Sequence, residues 1–356
     1  MPNRINKLAD KLPEHGLDTY ISARPQNIRY YAGSIGGSYL IMAPDVDPLL
    51  LVSILDESIT RDQARNCRVE TYSPTGLLNK LADTLRGNHS TSVGFDDLSL
   101  SLLNRIGRRL PEMSFKQNQD VVWMQRSVKD AGEVKLMDEA GKQAEVGMEA
   151  LWEKLSLGVT EHQLAAEASY AMMRDGAEAH AFEFTVGSGS RSAYPHASST
   201  ERKIESGDLV VVDIGASYNG YCSDITRTFI AGKPDGKRKE LYETVLRSHD
   251  VTYAAMKPGV SCKEVDTVSR KVIEDAGYGP NYTHSLGHGV GLEIHEPPSV
   301  SQRSSEKLVA GNVVSNEPGI YIHGFGGVRI EDTVLITKGG ARRLTNFPRD
   351  IEKAIF

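Results

Sequence analysis

Asp213 and Asp224 lie eleven residues apart in GDLVVVDIGASYNGYCSDITRTF. Leu209 to Ile214 is an apolar, largely β-branched run, Asn219-Gly220 is a hairpin turn signal, and Tyr221 to Ile230 reads as the return strand. Whether the turn centres on Tyr218-Asn219 or on Asn219-Gly220, strand pleating puts both carboxylates on one face of the sheet. They are then direct cross-strand neighbours or diagonal ones. Two anions side by side in a strand-rich interior repel and are costly to desolvate unless a cation lies between them. A solvent-facing hairpin with two unrelated acids is the competing reading. The four apolar residues before Asp213 oppose it.

A second hairpin follows the same logic. In NEPGIYIHGFGGVRIEDTVLIT, Glu317 and Glu331 flank two strands joined through Gly324, Gly326 and Gly327. Of the adjacent acids Glu331 and Asp332, opposite pleat directions allow only one to face inward.

Between the hairpins lies YTHSLGHGVGLEIHEPP, with His284 and His288 four apart and His295 seven further on. Glycines at 287, 289 and 291 clear room for a close approach around His288, as a ligand needs. The segment is not HExxH, which excludes a thermolysin-like zinc site. Four carboxylates and an imidazole form an oxygen-rich set suited to two divalent cations such as Mn, Co, Fe or Zn.

The elements that carry these residues sit in a chain of 356 residues, 39% hydrophobic and 25% charged, with a formal charge of −6. That composition indicates a globular protein of about two domains. It holds no long Lys/Arg block that would suggest a nucleic-acid partner. Cys67, Cys222 and Cys262 form no CxxC or CxH pair, which fits a reducing cytoplasm better than a disulfide framework. MPNRINKLADKLPEHGLD lacks the apolar centre of a secretory signal, and no apolar run approaches the length of a membrane span.

Up to about residue 122, β-type runs (19–23, 38–43, 49–54 and SVGFD) alternate with helical patterns near 57–66, 76–86 and 99–109. This indicates an α/β domain with a mixed or parallel sheet over residues 1–124. Asp130 and Glu133 then form a cap pair opening a long helix of the second domain, 125–356. That domain repeats itself: GVTEHQLAAEASYAMMRDGA from Gly158 overlays GVSCKEVDTVSRKVIEDAGY from Gly259. The caps Thr160 and Ser261 each have a partner three residues on, Gln163 and Glu264. Two helix-helix-hairpin halves around a shared cleft are expected.

Order, spacing and flanking sequence of DIGASYNGYCSDITRTF, HSLGHGVGLEIHEPP, NEPGIYI and GVRIEDT resemble the pita-bread metallopeptidases: methionine aminopeptidase, aminopeptidase P and prolidase. The match covers roughly residues 130–350. The first domain, with NIRYYAG, resembles the extra domain of prolidases, aminopeptidase P and creatinase, which sets methionine aminopeptidases aside. Creatinases share the fold but lack the complete ligand set. Prolidase is the nearest resemblance and aminopeptidase P the next. It implies an α/β N-terminal domain followed by an α+β pita-bread domain with a pseudo-twofold repeat.

The resemblance also implies roles. Asp213 binds one metal, Asp224 and Glu331 bridge two, and His288 and Glu317 complete the ligand set. Water activated by the metals is the nucleophile, and Glu317 shuttles its proton to the leaving proline nitrogen. His295 stabilises the gem-diolate. His196, in VGSGSRSAYPHASS, contacts the substrate carbonyl, and His284 and Tyr321 line the pocket. Arg329 orients ligands or the carboxylates, or is a salt bridge behind them.

The implied reaction is hydrolysis of the Xaa-Pro bond by a cytoplasmic homodimer. An Xaa-Pro dipeptidase is the first reading and an Xaa-Pro aminopeptidase acting on longer peptides the second. A catalytically silent binding module of the same fold is the third.

Overall fold

The computed structural model describes residues 4–356. The chain divides into two compact units, the first ending at Arg126 and the second Ser127–Phe356. The helix Asp120–Arg126 spans the boundary expected at 124/125 and closes the first unit.

Among the described residues, the first unit is built on one six-stranded sheet. Its spatial order is Arg68–Tyr72, Leu49–Ser53, Tyr39–Met42, Thr19–Ser22, Ser92–Phe95 and Ser114–Gln117. The two pairings made by Tyr39–Met42 are antiparallel and the remaining three parallel, so the sheet is mixed. The anticipated helices form as Glu57–Gln63, Leu77–Gly87 and Leu100–Arg109. Leu81, Leu85 and Ile106 from the last two meet Ile21, Leu49, Leu51 and Val93 of the sheet in one buried cluster. Residues two apart on a strand share a face, which is why Leu49 and Leu51 enter it together.

The second unit opens on the helix Ala131–Lys154, with Asp130 and Glu133 forming the reciprocal capping box read from the sequence. The equivalent boxes at Thr160–Gln163 and Ser261–Glu264 start two helices of fourteen residues, Glu161–Arg174 and Cys262–Asp275. In the first half, Met148, Leu151, Leu164 and Met172 pack on Val210, Val212, Ile214 and Phe229 of the sheet beneath. In the second, Cys262 and Val265 pack on Val314, Val334 and Ile336.

The repeat runs further than the helices. Ile204 N donates to Val159 O and Leu308 N to Val260 O, each at 2.9 Å. Thr160 bridges to Lys203 and Ser261 to Lys307 in the same antiparallel sense. Each bridge leads into a strand, Leu209–Ile214 or Val313–Asn316, whose antiparallel partner is Ile225–Ile230 or Asp332–Thr337. Asp213 lies nine residues beyond Ile204, as Glu317 does beyond Leu308. Asp224 and Glu331 each immediately precede the return strand. The four acids thus come from equivalent positions of the two halves.

No helix of the described residues is long and apolar enough to cross a membrane.

Candidate metal centre

The first hairpin resolves the register that the sequence left open. Asp213 pairs with Thr226 and Tyr218 with Tyr221, so the turn centres on Asn219-Gly220. Both turn residues have positive φ, 47° and 79°, as a two-residue hairpin turn of the twist-matched kind requires. In this register Asp224 is a diagonal neighbour of Asp213 on the same face, at the break before Ile225–Ile230. In the second hairpin Asn316 pairs with Asp332 and Gly319 with Arg329, placing Glu317 opposite Glu331 where the ladder changes sheet. Glu331 is the inward acid. Asp332 points the other way and is buried against Arg227, Arg343, Arg349 and His249.

These acids meet in a cavity of about 500 Å³ lined by Asp213, Asp224, Glu317, Glu331, His196, His284, His288, His295 and Arg329, with Phe182, Phe184 and Ile294 supplying apolar surface. Ligand atoms of Asp224, His288 and Glu331 lie within 4.8 Å of one another, the grouping among the described residues that could hold a metal ion. His288 Nε2 is 3.6 Å from Asp224 Oδ2 and 3.3 Å from Glu317 Oε1. The His288 Nδ1 contact is the Gly289 carbonyl at 3.0 Å, which can only accept. Nδ1 therefore carries a proton, and Nε2, which faces the carboxylates, is the nitrogen left to bind a metal once its own proton is displaced.

Asp213 and Glu317 stand outside that closest group, each held by its own partners. Arg329 donates to Asp213 Oδ2 at 2.7 Å, while Ser315 Oγ donates to Glu317 Oε1 at 3.0 Å. Burial raises the pKa of Asp224 and Glu331 well above the carboxylate range, and the negative charge of neighbouring carboxylates raises both further. Burial likewise raises Asp213, against the opposing charge of Arg329. For Glu317, burial is outweighed by the hydrogen bond and charge of His288 and by the charges of His284 and Arg329, and its pKa falls to about 2.

Whether this donor set fits divalent cations is answered by its unused atoms. Asp213 Oδ1, Asp224 Oδ1 and Glu331 Oε1 are all buried without a hydrogen-bond partner. Buried carboxylate oxygens are ordinarily satisfied, and three orphans in one cavity with the His288 imidazole fit cations of the kind that carboxylate and histidine bind.

The other anticipated residues are distributed around this core. His196 and His295 line the cavity, and the His295 ring lies 4.2 Å from that of His288, centroid to centroid. His284 lines it with both nitrogens engaged: Nδ1 with Ser285 O at 2.7 Å and Nε2 with Tyr321 OH at 2.9 Å. Arg329 donates to Asp213, Thr226, Tyr321 and the Pro195 carbonyl, so its fork is spent on the site's own framework. Tyr321 differs from expectation. It is buried behind His284, outside the cavity wall, because its hydroxyl is the joint between His284 and Arg329.

The glycines around His288 also act differently from the reading above. A Cβ on Gly287 would strike the Ser315 carbonyl, and one on Gly289 the carbonyls of Glu296 and Pro297. Their absence of side chain lets neighbouring strands close on the His288 backbone, and the space they leave is filled by protein.

Two functional residues escaped the sequence reading. Thr226 Oγ1 donates to Glu331 Oε2 at 2.6 Å. Ser315 Oγ contacts both Glu317 and the His288 N–H, each at 3.0 Å. Each lies two residues from an acid on the same strand path, so pleat alternation was the available signal.

Comparison with known proteins agrees along the whole chain. Residues 135–338 match the model of metallopeptidase family M24, and residues 4–128 that of the creatinase/prolidase N-terminal domain. An Xaa-Pro dipeptidase of Pyrococcus furiosus is 38% identical over 353 residues, 99% of this chain and 100% of that protein. The solved Xaa-Pro dipeptidase from Bacillus anthracis superposes with a TM-score of 0.94 at 32% identity, covering 99% of each chain. The X-Pro aminopeptidase from Thermotoga maritima gives 0.90 at 32% identity, again covering 99% of each.

Proposed function

The chain belongs to metallopeptidase family M24, and from that premise we propose that it hydrolyses the Xaa-Pro bond of dipeptides with two divalent metal ions. The observation that carries the metal-dependent part is the trio of buried, unpartnered carboxylate oxygens in the cavity that Nε2 of His288 faces. Full-length relatives bearing the name Xaa-Pro dipeptidase support the substrate.

Asp213, Asp224, His288, Glu317 and Glu331 would hold the ions, with Mn, Co, Fe and Zn all compatible with such donors. When bound, the ions supply Lewis acidity toward the scissile carbonyl and lower the pKa of water to near neutrality.

The remaining work falls to side chains. Glu317 Oε1 accepts from the Ser315 hydroxyl. Oε2 is then the atom to take the water's proton and deliver it to the proline nitrogen. His196 and His295, both lining the cavity, donate to the carbonyl oxygen as it gains charge. Phe182, Phe184 and Ile294 exclude water and offer the pyrrolidine an apolar wall. An Xaa-Pro bond has no N–H, so a peptidase that grips this donor has nothing to hold. A site that acts on the carbonyl from one side and the nitrogen from the other has no such need. The trans isomer, the major one, is the expected substrate form.

The likeness to the T. maritima X-Pro aminopeptidase, at a TM-score of 0.90, sustains a second reading, cleavage of longer peptides. Turnover of Ala-Pro against Ala-Pro-Ala by metal-reconstituted protein separates the two. Faster cleavage of the tripeptide would overturn the dipeptidase reading. A silent binding module would bind less than one ion per chain and show no turnover after Mn or Co is added. We further assign the enzyme to the cytoplasm, in keeping with three free cysteines. A homodimer formed through the first unit is supported by the exposed Ile54 and Leu55 there.

A further inference from the structure

Glu161 is the first residue of the helix Glu161–Arg174, and its side chain is fully buried. An acid in the first turn of a helix is ordinarily an exposed partner for the helix dipole. This one is occupied by a loop instead. Oε1 accepts from the N–H and hydroxyl of Ser188, at 2.8 and 2.7 Å. Oε2 accepts from the N–H and hydroxyl of Thr200, at 3.0 and 2.7 Å. Arg191 Nε lies 3.3 Å from Oε2 and its guanidinium reaches across to the Ser198 carbonyl.

Ser188 and Thr200 are the two ends of the segment that carries Pro195 and His196 to the cavity. One carboxylate therefore closes that loop at its base, one oxygen to each end. Farther out the loop is fixed by the Thr185–Ser198 bridge and by Arg329 on the Pro195 carbonyl.

The internal repeat shows that the helix start does not itself require an acid here. The equivalent residue of the second half is Cys262, buried among Met256, Val265 and Leu308. Its backbone N–H makes the matching bond, to Glu306 O, as that of Glu161 does to Arg202 O. The buried carboxylate appears in the half that presents the His196 loop.

We propose that Glu161 is a positioning residue for the peptidase reaction: by clasping Ser188 and Thr200 it sets the geometry at which His196 meets the substrate carbonyl. The inference rests on the peptidase reading above for its catalytic consequence and on the clasp itself for its structural one.

The test is Glu161→Gln, which keeps the shape but gives one end of the loop a donor where it needs an acceptor. Two readouts are taken on metal-loaded protein, hydrogen exchange of residues 188–200 and a kinetic cycle with His196→Ala. Exchange across the loop is expected to accelerate while the helix Ala131–Lys154 keeps its protection. Misplacing a group that touches the reacting carbonyl is expected to lower kcat by about 10- to 100-fold. In the His196→Ala background the same substitution should lower kcat by less than about threefold, since the group it positions is gone.

Equal loss in both backgrounds, or unchanged loop exchange, overturns the proposal. Should Glu161→Gln fail to fold, Thr200→Val removes one hydroxyl from the clasp and is read by the same two measurements. A wild-type chain with no Xaa-Pro turnover would overturn the function reading, and the exchange comparison would still decide the clasp.

Discussion

The Thr226 hydroxyl donates to Glu331 Oε2 at 2.6 Å and accepts from Arg329 Nε at 3.0 Å. One buried hydroxyl thereby ties the return strand of the first hairpin to an acid of the second. It also leaves Glu331 Oε1 as the orphan oxygen that faces the cavity. Thr226→Val keeps the shape and removes the bond. The expected result is a 10- to 100-fold loss of metal affinity, roughly the effect of removing a partner that orients a ligand. Titration calorimetry with Mn on stripped protein checks it, and an unchanged affinity would show that Glu331 is oriented by packing alone.

Much of this site was legible in the chain. Pleating alone put Asp213 and Asp224 on one face, and both capping boxes of the repeat were read from residue types three apart. Local rules reach that far because period and capping act within a few residues. The choice between direct and diagonal neighbours needed the turn centre, which the backbone at Asn219 and Gly220 decides. Tyr321 could not be placed from sequence, because whether a strand tyrosine faces a cavity or lies behind its wall depends on a contact 37 residues away, at His284. Glu161 was hidden for a related reason. Its neighbour Gln163 supplied the capping signal, and the partners of Glu161 arrive from loops 27 and 39 residues downstream.

Arg329 holds four separate partners from a buried position. A lysine offers one compact charge in place of a planar fork and cannot span Asp213, Thr226 and Tyr321 together. Arg329→Lys is therefore expected to lower kcat/KM by about 100-fold through misplaced carboxylates. Arg329→Met should in addition destabilise the fold by about 3–5 kcal/mol, the usual effect of leaving a buried charge unpaired. Steady-state kinetics and chemical denaturation read the two outcomes. Half or more of wild-type activity in Arg329→Lys would refute the framework role.

The raised carboxyls of Asp213, Asp224 and Glu331 fix how the metal-free protein responds to pH. Folding makes these groups hold protons that the unfolded chain releases above about pH 4. Stability from that source is present at low pH and is lost as pH rises through the folded pKa values. Glu317 has the opposite sign: its contribution is lost only as pH falls from the ordinary glutamate range toward about 2. The depressed imidazoles of His284 and His295 oppose this trend and the raised imidazole of His288 adds to it. The three carboxyls and His288 together should make the stripped protein melt at lower temperature as pH increases between about pH 5 and pH 8. Added divalent cation should raise Tm most at the alkaline end, where the ions no longer compete with protons. Thermal scans with and without Mn across that range are the check. A stripped protein whose Tm climbs with pH would contradict the assignment.

Lys129 and Glu296 form an ion pair at 3.2 Å with both side chains only 1% exposed. Glu296 directly follows His295, and its other oxygen accepts from the Glu293 N–H at 3.0 Å, so the pair anchors the turn on which His295 stands. A Cβ on Gly291 would meet the same carboxylate, which shows how tightly that turn wraps it. Lys129→Met removes this cation from a buried carboxylate, and a destabilisation of about 3–5 kcal/mol is expected. Adding Glu296→Gln removes the charge that Lys129 faced and should recover part of that stability, because a neutral amide is less costly to bury beside an apolar side chain than a carboxylate. Activity should follow a different course. If the pair fixes His295, the double variant regains Tm but not kcat, since the amide no longer has a cation to hold it in place. Denaturation and turnover measured on the single and double variants separate the two effects, and recovery of both together would mean that the pair supports the fold alone.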